Sequence, residues 1–111
     1  MGRPAIDPAR YDPIIGKARM FVLNHLCVGR VDLISHRRDA SLVRARALFV
    51  WIVKTHGPEW LSHPVIGWWL GGRDHSSIMH LWREVAPRLL ERDPEFRALC
   101  ERFSQEYVPC N

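Results

Sequence analysis

Apolar residues recur at helical intervals along most of the chain. From Ile14 the pattern predicts an amphipathic helix to about Val28, with Met20, Leu23 and Cys27 along one stripe and Gly29 as its C-terminal cap. Val31 to Ile34 reads as a short helical turn. A polar, basic connection, Ser35-His36-Arg37-Arg38-Asp39, follows it. Ser41 can cap the next helix, which runs to about His56 before Gly57-Pro58 stops it. Its centre, Ala47 to Val53, is apolar on every side. A buried strand would give the same run, but the flanking helical signals and the lack of a partner strand favour a central buried helix.

Gly57 to Leu61 reads as a turn. A short helix starts at Ser62 or His63, with Pro64 in its first turn where a missing N–H does no harm, and ends at Leu70 before Gly71-Gly72. Asp74 opens the next helix, its carboxylate placed to accept from the free N–H groups of Ser76 or Ser77. That helix extends at least to Ala86, with Ile78, Leu81, Trp82 and Val85 facing inward, and Pro87 ends or kinks it. Asp93-Pro94-Glu95 starts a last helix carrying Phe96, Leu99, Cys100 and Phe103 at helical spacing. Residues 1–13, with Pro4, Pro8 and Pro13, read as an extended arm, and residues 14–108 as one domain. The expected fold class is all-α, with five to six helices.

Composition is compatible with one ordinary globular domain: 111 residues, 47% hydrophobic and 25% charged. The longest apolar run is too short to cross a bilayer, so no membrane role is expected. Three cysteines, Cys27, Cys100 and Cys110, lack any close spacing and suggest reduced thiols in a cytoplasmic protein. The net charge of +4 is unevenly placed. Residues 36–56 carry Arg37, Arg38, Arg44, Arg46 and Lys54 against Asp39 alone, whereas residues 57–81 hold Arg73 against Glu59 and Asp74. A short basic segment of this kind is either a solvated loop or a footprint for a polyanion, most often nucleic acid.

Ser62 to Leu81 supplies the complementary signal: a short helix, a Gly-Gly-Arg turn and a second helix. That is the layout of a helix-turn-helix, whose second helix meets bases in the major groove with its N-terminal residues. Here those are Arg73, Asp74, His75, Ser76 and Ser77, all capable of hydrogen bonding. Each also has a plain structural use: Asp74 as cap, the serines as helix starters, the glycines as turn formers.

The run Ile66-Gly67-x-x-Leu70-Gly71-Gly72-Arg73-Asp74-His75-Ser76-Ser77-Ile78-x-His80 resembles the signature of the DNA-binding domain of bacterial chromosomal replication initiators, the DnaA family. Asp32 to Arg38 and Val43-Arg44-Ala45-Arg46 extend the resemblance upstream, so that it covers about Ile14 to Val85. The resemblance implies a helix-turn-helix of the Trp-repressor and initiator kind that binds a short, asymmetric, A/T-rich box of double-stranded DNA as a monomer. It also implies roles. Arg38 matches the arginine that enters the minor groove, where narrow A/T-rich DNA concentrates negative potential. Lys54, Pro64, Asp74, His75 and Ser76 match positions that read bases in the major groove. Arg37, Arg44, Arg46, Arg73, Ser77 and His80 match or flank positions that hold phosphates.

Three departures bear on which box is preferred. Ser76 and Ser77 stand where the family usually has threonine, Ala45 and Ala47 where proline and glutamine are common, and the Gly57 to Leu61 turn is long and carries Trp60. A fourth is larger. Full initiators carry an ATPase domain, but Gly16-Lys17 is followed by Ala18 and lacks the preceding glycine of a phosphate loop. The chain is then either a fragment of a longer protein or, as Met1 and the proline-bearing arm suggest, a stand-alone reader or regulator at the nucleoid.

No enzyme activity, cofactor or metal is expected. Asp74, His75 and Ser76 are consecutive, so their side chains fan around the helix and cannot align as nucleophile, base and orienter. His75 and His80 are five apart and do not share a helix face. The rivals to specific DNA reading are a non-specific nucleic-acid binder and a protein-interaction module. Adjacent Trp68 and Trp69 cannot both face inward from one helix, so one of them is expected to be exposed and available to a protein partner.

Overall fold

The computed structural model describes residues 12–107, and every regular element within them is helical. These are α1 (Pro13–Leu26), α2 (Arg30–Ile34), α3 (Ala40–His56), α4 (His63–Trp69), α5 (His75–His80), a π-helical turn (Leu81–Val85), α6 (Ala86–Arg92) and α7 (Pro94–Glu106). With α5, the π turn and α6 taken as one continuous rod, the fold has six helices. Most of the extended arm expected at residues 1–13 lies outside the described residues, as does Cys110. Pro13 instead opens α1, and the Asp12 side chain just before it accepts from the Ile14 N–H at 2.8 Å and caps the helix.

α3 is the axle of the domain. Ala45, Ala47, Leu48, Phe49, Val50, Ile52 and Val53 are all buried, and α1, the π turn, α6 and α7 pack around them. The apolar circumference of this helix follows from having neighbours on every side. α1 presents Ile14, Ile15, Ala18, Phe21 and Val22 to it. Of the stripe expected from sequence, Met20 is 61% exposed and Cys27 is exposed, while Leu23 is half-buried against the core. Two apolar stripes compete on α1, and the denser one at 14, 15, 18, 21 and 22 takes the core. Cys27, with φ of 53°, rather than Gly29, adopts the left-handed conformation that ends the helix. At α3 the capping position is Asp39, not Ser41, and the helix begins at Ala40.

Pro87 neither ends nor breaks its helix. A proline ring clashes with the carbonyl four residues back and removes an N–H. Here the turn just before it is widened, so that the Ala86 N–H reaches Leu81 O, five residues back. The rod therefore continues to Arg92, where Asp93 extends the chain and caps α7 by accepting from the Phe96 N–H at 3.0 Å. α7 then lays Phe96, Cys100 and Phe103 on α3, as its spacing predicts.

Candidate nucleic-acid interface

The turn between α4 and α5 is built by close main-chain approach. The Gly67 carbonyl accepts from the N–H groups of Leu70, Gly72 and Arg73 at 3.1, 3.0 and 2.9 Å. A Cβ on Gly67 would lie 2.0 Å from the Arg73 carbonyl oxygen, so only glycine lets the turn fold back on α4. Gly71 and Gly72 follow with φ of 85° and 81°, a pair of left-handed residues. They reverse the chain within four residues and deliver Asp74 to the start of α5. Its carboxylate accepts from the Ser77 N–H at 3.0 Å, and that bond holds the carboxyl below its usual range. His75, Ser76, Ser77 and His80 are exposed on the outer side of α5, while Ile78 anchors the inner side.

The basic connection between α2 and α3 lies against this turn. A cleft of about 510 Å³ is lined by His36, Arg38, Val43, Arg46, Gly72, Arg73, Ser77, His80 and Leu81. It brings the expected minor-groove arginine, Arg38, to one flank of α5. His63 lies near Lys54, Arg83 and His75, whose charges lower its pKa after burial as the leading cause. Lys54 also sits 6.0 Å from the Trp82 ring centroid, over its face. Pro64 is exposed at the start of α4. Arg38, Ser77 and His80 thus share one cleft, and Asp74, His75 and Ser76 stand exposed at the start of the same helix.

Two arginines near this site have their guanidinium groups engaged within the domain. Arg46 is only 3% exposed and its guanidinium points inward. Nε donates to Leu33 O at 2.8 Å, one terminal nitrogen to Arg37 O at 2.6 Å, and the other to Asp32 O and Ser35 O at 3.0 and 2.9 Å. With four of its five N–H groups engaged, it clamps the end of α2 and the basic connection rather than a phosphate. Arg44 turns the other way, towards α7. It donates to Asp93 at 2.7 and 3.2 Å and to Glu95 at 2.6 Å, and the Asp93 bond leads in raising its pKa. Two carboxylates compete there for any charge it could offer DNA. Both side chains were expected on phosphates from the resemblance; in the structure Arg46 is engaged by main-chain carbonyls and Arg44 by the carboxylates of α7.

The other basic side chains are intermediate cases. Arg73 is half-buried and donates to Leu70 O and Ser35 O, and burial followed by the nearby Arg38 charge lowers its pKa. Arg37 is exposed and ion-paired to Asp32 and Asp39. Three residues that sequence reasoning passed over stand beside the site: His36 in the cleft, and His63 with Arg83 near it. Arg83 was legible as the next exposed base along the α5 rod. The His63 Nε2 is buried and without a hydrogen-bond partner among the described residues, which only the fold could reveal.

Neither tryptophan of the adjacent pair is exposed as expected. Trp68 and Trp69 are both half-buried, packed edge to face with centroids 4.9 Å apart. The contact between them covers surface that a lone ring would have left open. No group of three or more potential metal ligands occurs among the described residues, and no helix there is long and apolar enough to cross a membrane.

A recognition helix set at a glycine turn beneath a supporting helix, with a basic loop alongside, defines a helix-turn-helix protein. The family described as the bacterial dnaA protein helix-turn-helix matches residues 17–85, and the chain belongs to that DNA-binding family. The match ends with the π turn, so α6 and α7 lie beyond it. The chromosomal replication initiator protein DnaA of Xanthobacter autotrophicus is 39% identical over 64 residues, 58% of this chain and 12% of that protein. The proteins of the same name from Rhizobium meliloti and Brucella abortus are 38% identical over 64 residues and 34% over 71, the latter covering 64% of this chain and 14% of the relative. The chain therefore spans about an eighth of the length of these relatives. No solved structure matches it.

Proposed function

We propose that this domain reads a short, asymmetric, A/T-rich box in duplex DNA, of the kind bound by replication initiators, as one domain per box. The helix from Asp74 enters the major groove, where Asp74, His75 and Ser76, with Lys54 and Pro64 beside them, meet base edges. Arg38 enters the adjoining minor groove, whose narrowness at A/T steps rewards a positive side chain. Arg37, Ser77 and His80 hold the intervening phosphates, with the Arg73 charge behind them and Arg83 at the far end. The role is binding rather than catalysis, at the nucleoid, where chromosomal DNA is.

The observation that carries this reading is the cleft joining Arg38 to Arg73, Ser77 and His80. It sets the minor-groove arginine beside the recognition helix, as simultaneous engagement of two adjoining grooves requires. The test is a titration of the protein against an A/T-rich initiator box and a scrambled duplex of equal length over a range of salt. The reading expects preference for the box and a log–log salt slope of roughly −0.9 per neutralised phosphate. Equal affinity for both duplexes refutes specific reading, and a flat salt response refutes the phosphate contacts.

A further inference from the structure

The connection carrying Arg38 is held at two points: Arg46 donates to the Arg37 carbonyl at 2.6 Å, and at its root the Ser35 carbonyl ties it to the recognition turn. Ser35 ends α2 with an extended backbone, and its carbonyl accepts from two guanidinium groups on different elements: Arg46 of α3 and Arg73 of the glycine turn. Arg73 is itself fixed, its N–H on Gly67 O and its own carbonyl packed against the Gly67 Cα. The neighbouring residues repeat the tie. A Cβ on Gly71 would meet Ile34 O at 2.2 Å, so the turn and the end of α2 also approach closely through main chain. Arg38 lies three residues after Ser35, a reach of at most about 10 Å. Asp74 lies one residue after Arg73.

We propose that the Ser35 carbonyl, gripped by Arg46 and Arg73 together, is a joint that fixes the separation of the minor-groove arginine from the recognition helix. This makes Arg73 a positioning and specificity-determining residue for the spacing within the box. The inference rests on the two-groove reading above. Its physical basis is the geometry of the donor: a planar guanidinium can bridge Leu70 O and Ser35 O at once, locking a loop carbonyl to a turn carbonyl. The charges argue against a purely stabilising role. Arg46 and Arg73 share one neutral acceptor, with no carboxylate ion-paired to either among the described residues, while the adjacent Asp32 and Asp39 pair with Arg37. The joint also explains how a short exposed loop can deliver one arginine at a constant place: the rigid partner is the recognition turn itself.

The experiment selects the preferred duplex from a pool with a randomised core, using the wild-type protein. It then measures affinity for that duplex and for one with a single base pair inserted between its A/T-rich end and the remainder. The insertion shifts one half by about 3.4 Å and turns it by about 34° relative to the other. The wild type is expected to lose roughly 5- to 150-fold, as for one mismatched base pair. Arg73→Gln should bind the selected duplex more weakly but discriminate against the insertion by less than about 3-fold. Arg73→Lys keeps the charge but loses the planar fork, so it should relax spacing in the same way while retaining the wild-type salt slope. Thermal melts establish that each variant is folded. If both folded variants weaken equally on the two duplexes and keep the wild-type insertion penalty, the joint is overturned and Arg73 acts by charge or stability alone. A wild-type protein that enriches no sequence overturns the two-groove reading, and the joint with it. That outcome is seen before any variant is made.

Discussion

Replacing Arg46 by alanine separates its two conceivable roles more sharply than any other single change. The side chain is buried and gives four hydrogen bonds to main-chain carbonyls of Asp32, Leu33, Ser35 and Arg37. Hydrogen bonds from a charged donor contribute about 1.5–3 kcal/mol each when measured singly, but they do not add. In the variant the carbonyls of Asp32, Ser35 and Arg37, which belong to half-buried or exposed residues, regain water. The carbonyl beside buried Leu33 is harder to rehydrate, at about 1–3 kcal/mol. The lost methylene packing adds about 0.8 kcal/mol per group. Together these give a destabilisation of about 3–5 kcal/mol, a large part of the 5–15 kcal/mol typical of a whole domain. Urea unfolding without DNA measures it directly, as a lowered midpoint at unchanged slope. Arg46→Lys should recover little, because an ammonium group cannot span four carbonyls. The reasoning fails if Arg46→Ala unfolds within about 0.5 kcal/mol of wild type and instead lowers the DNA salt slope by about one unit, the behaviour of a phosphate contact.

Two predictions concern pH. The Asp93 carboxyl is held below its ordinary range, first by the Arg44 side chain and then by the Phe96 N–H. The stability it contributes is present above about pH 4 and is lost as pH falls through the lowered value. Asp93→Asn should cost about 1 kcal/mol at neutral pH, the pair being partly exposed, and should flatten the acid limb of a stability–pH curve; identical acid limbs would contradict this. The His56 ring packs near Trp51, Phe103 and Tyr107, with Nε2 2.9 Å from the Ser104 hydroxyl, and burial lowers its pKa. The unfolded chain therefore takes up this proton first, and stability should fall as pH drops below about 6.5. His56→Gln should make the melting temperature less sensitive to pH between 7 and the folded pKa, and an unchanged pH dependence would refute the assignment.

The elements that the sequence foretold best are those in which local chemistry and packing agree. Asp74 and Asp93 both accept from the N–H three residues on, as helix starters with an acid at the cap position should. The Gly71-Gly72 turn follows from two residues that tolerate positive φ. The expectations that failed are those that tertiary neighbours decide. On α1 two apolar stripes were available, and only the position of α3 selects the one containing Phe21. Pro87 signals a break locally, but a widened turn absorbs it because the rod is packed against α3 and α7 on either side of the proline. The arginines show the same limit. Arg38, Arg44 and Arg46 are equivalent as charges in a sequence, yet Arg38 is exposed at the cleft, Arg46 borders the same cleft with its guanidinium buried on main-chain carbonyls, and Arg44 pairs with α7. What separates them is the distant carboxylates of Asp93 and Glu95 and the carbonyls that α2 offers, neither of which a spacing rule contains.

The central claim, that the helix from Asp74 reads bases, is tested most directly by His75→Ala. His75 is exposed at the first turn of α5 and takes no part in the core, so its removal leaves the fold intact. Affinity is titrated for wild type and variant against every single-base change in the preferred box. The account predicts that His75→Ala loses discrimination at one or two adjacent base pairs, by up to about 1–3 kcal/mol, and keeps the wild-type profile at the A/T-rich end assigned to Arg38. A uniform loss across the whole panel would contradict it and leave a domain that grips the DNA backbone without reading the sequence.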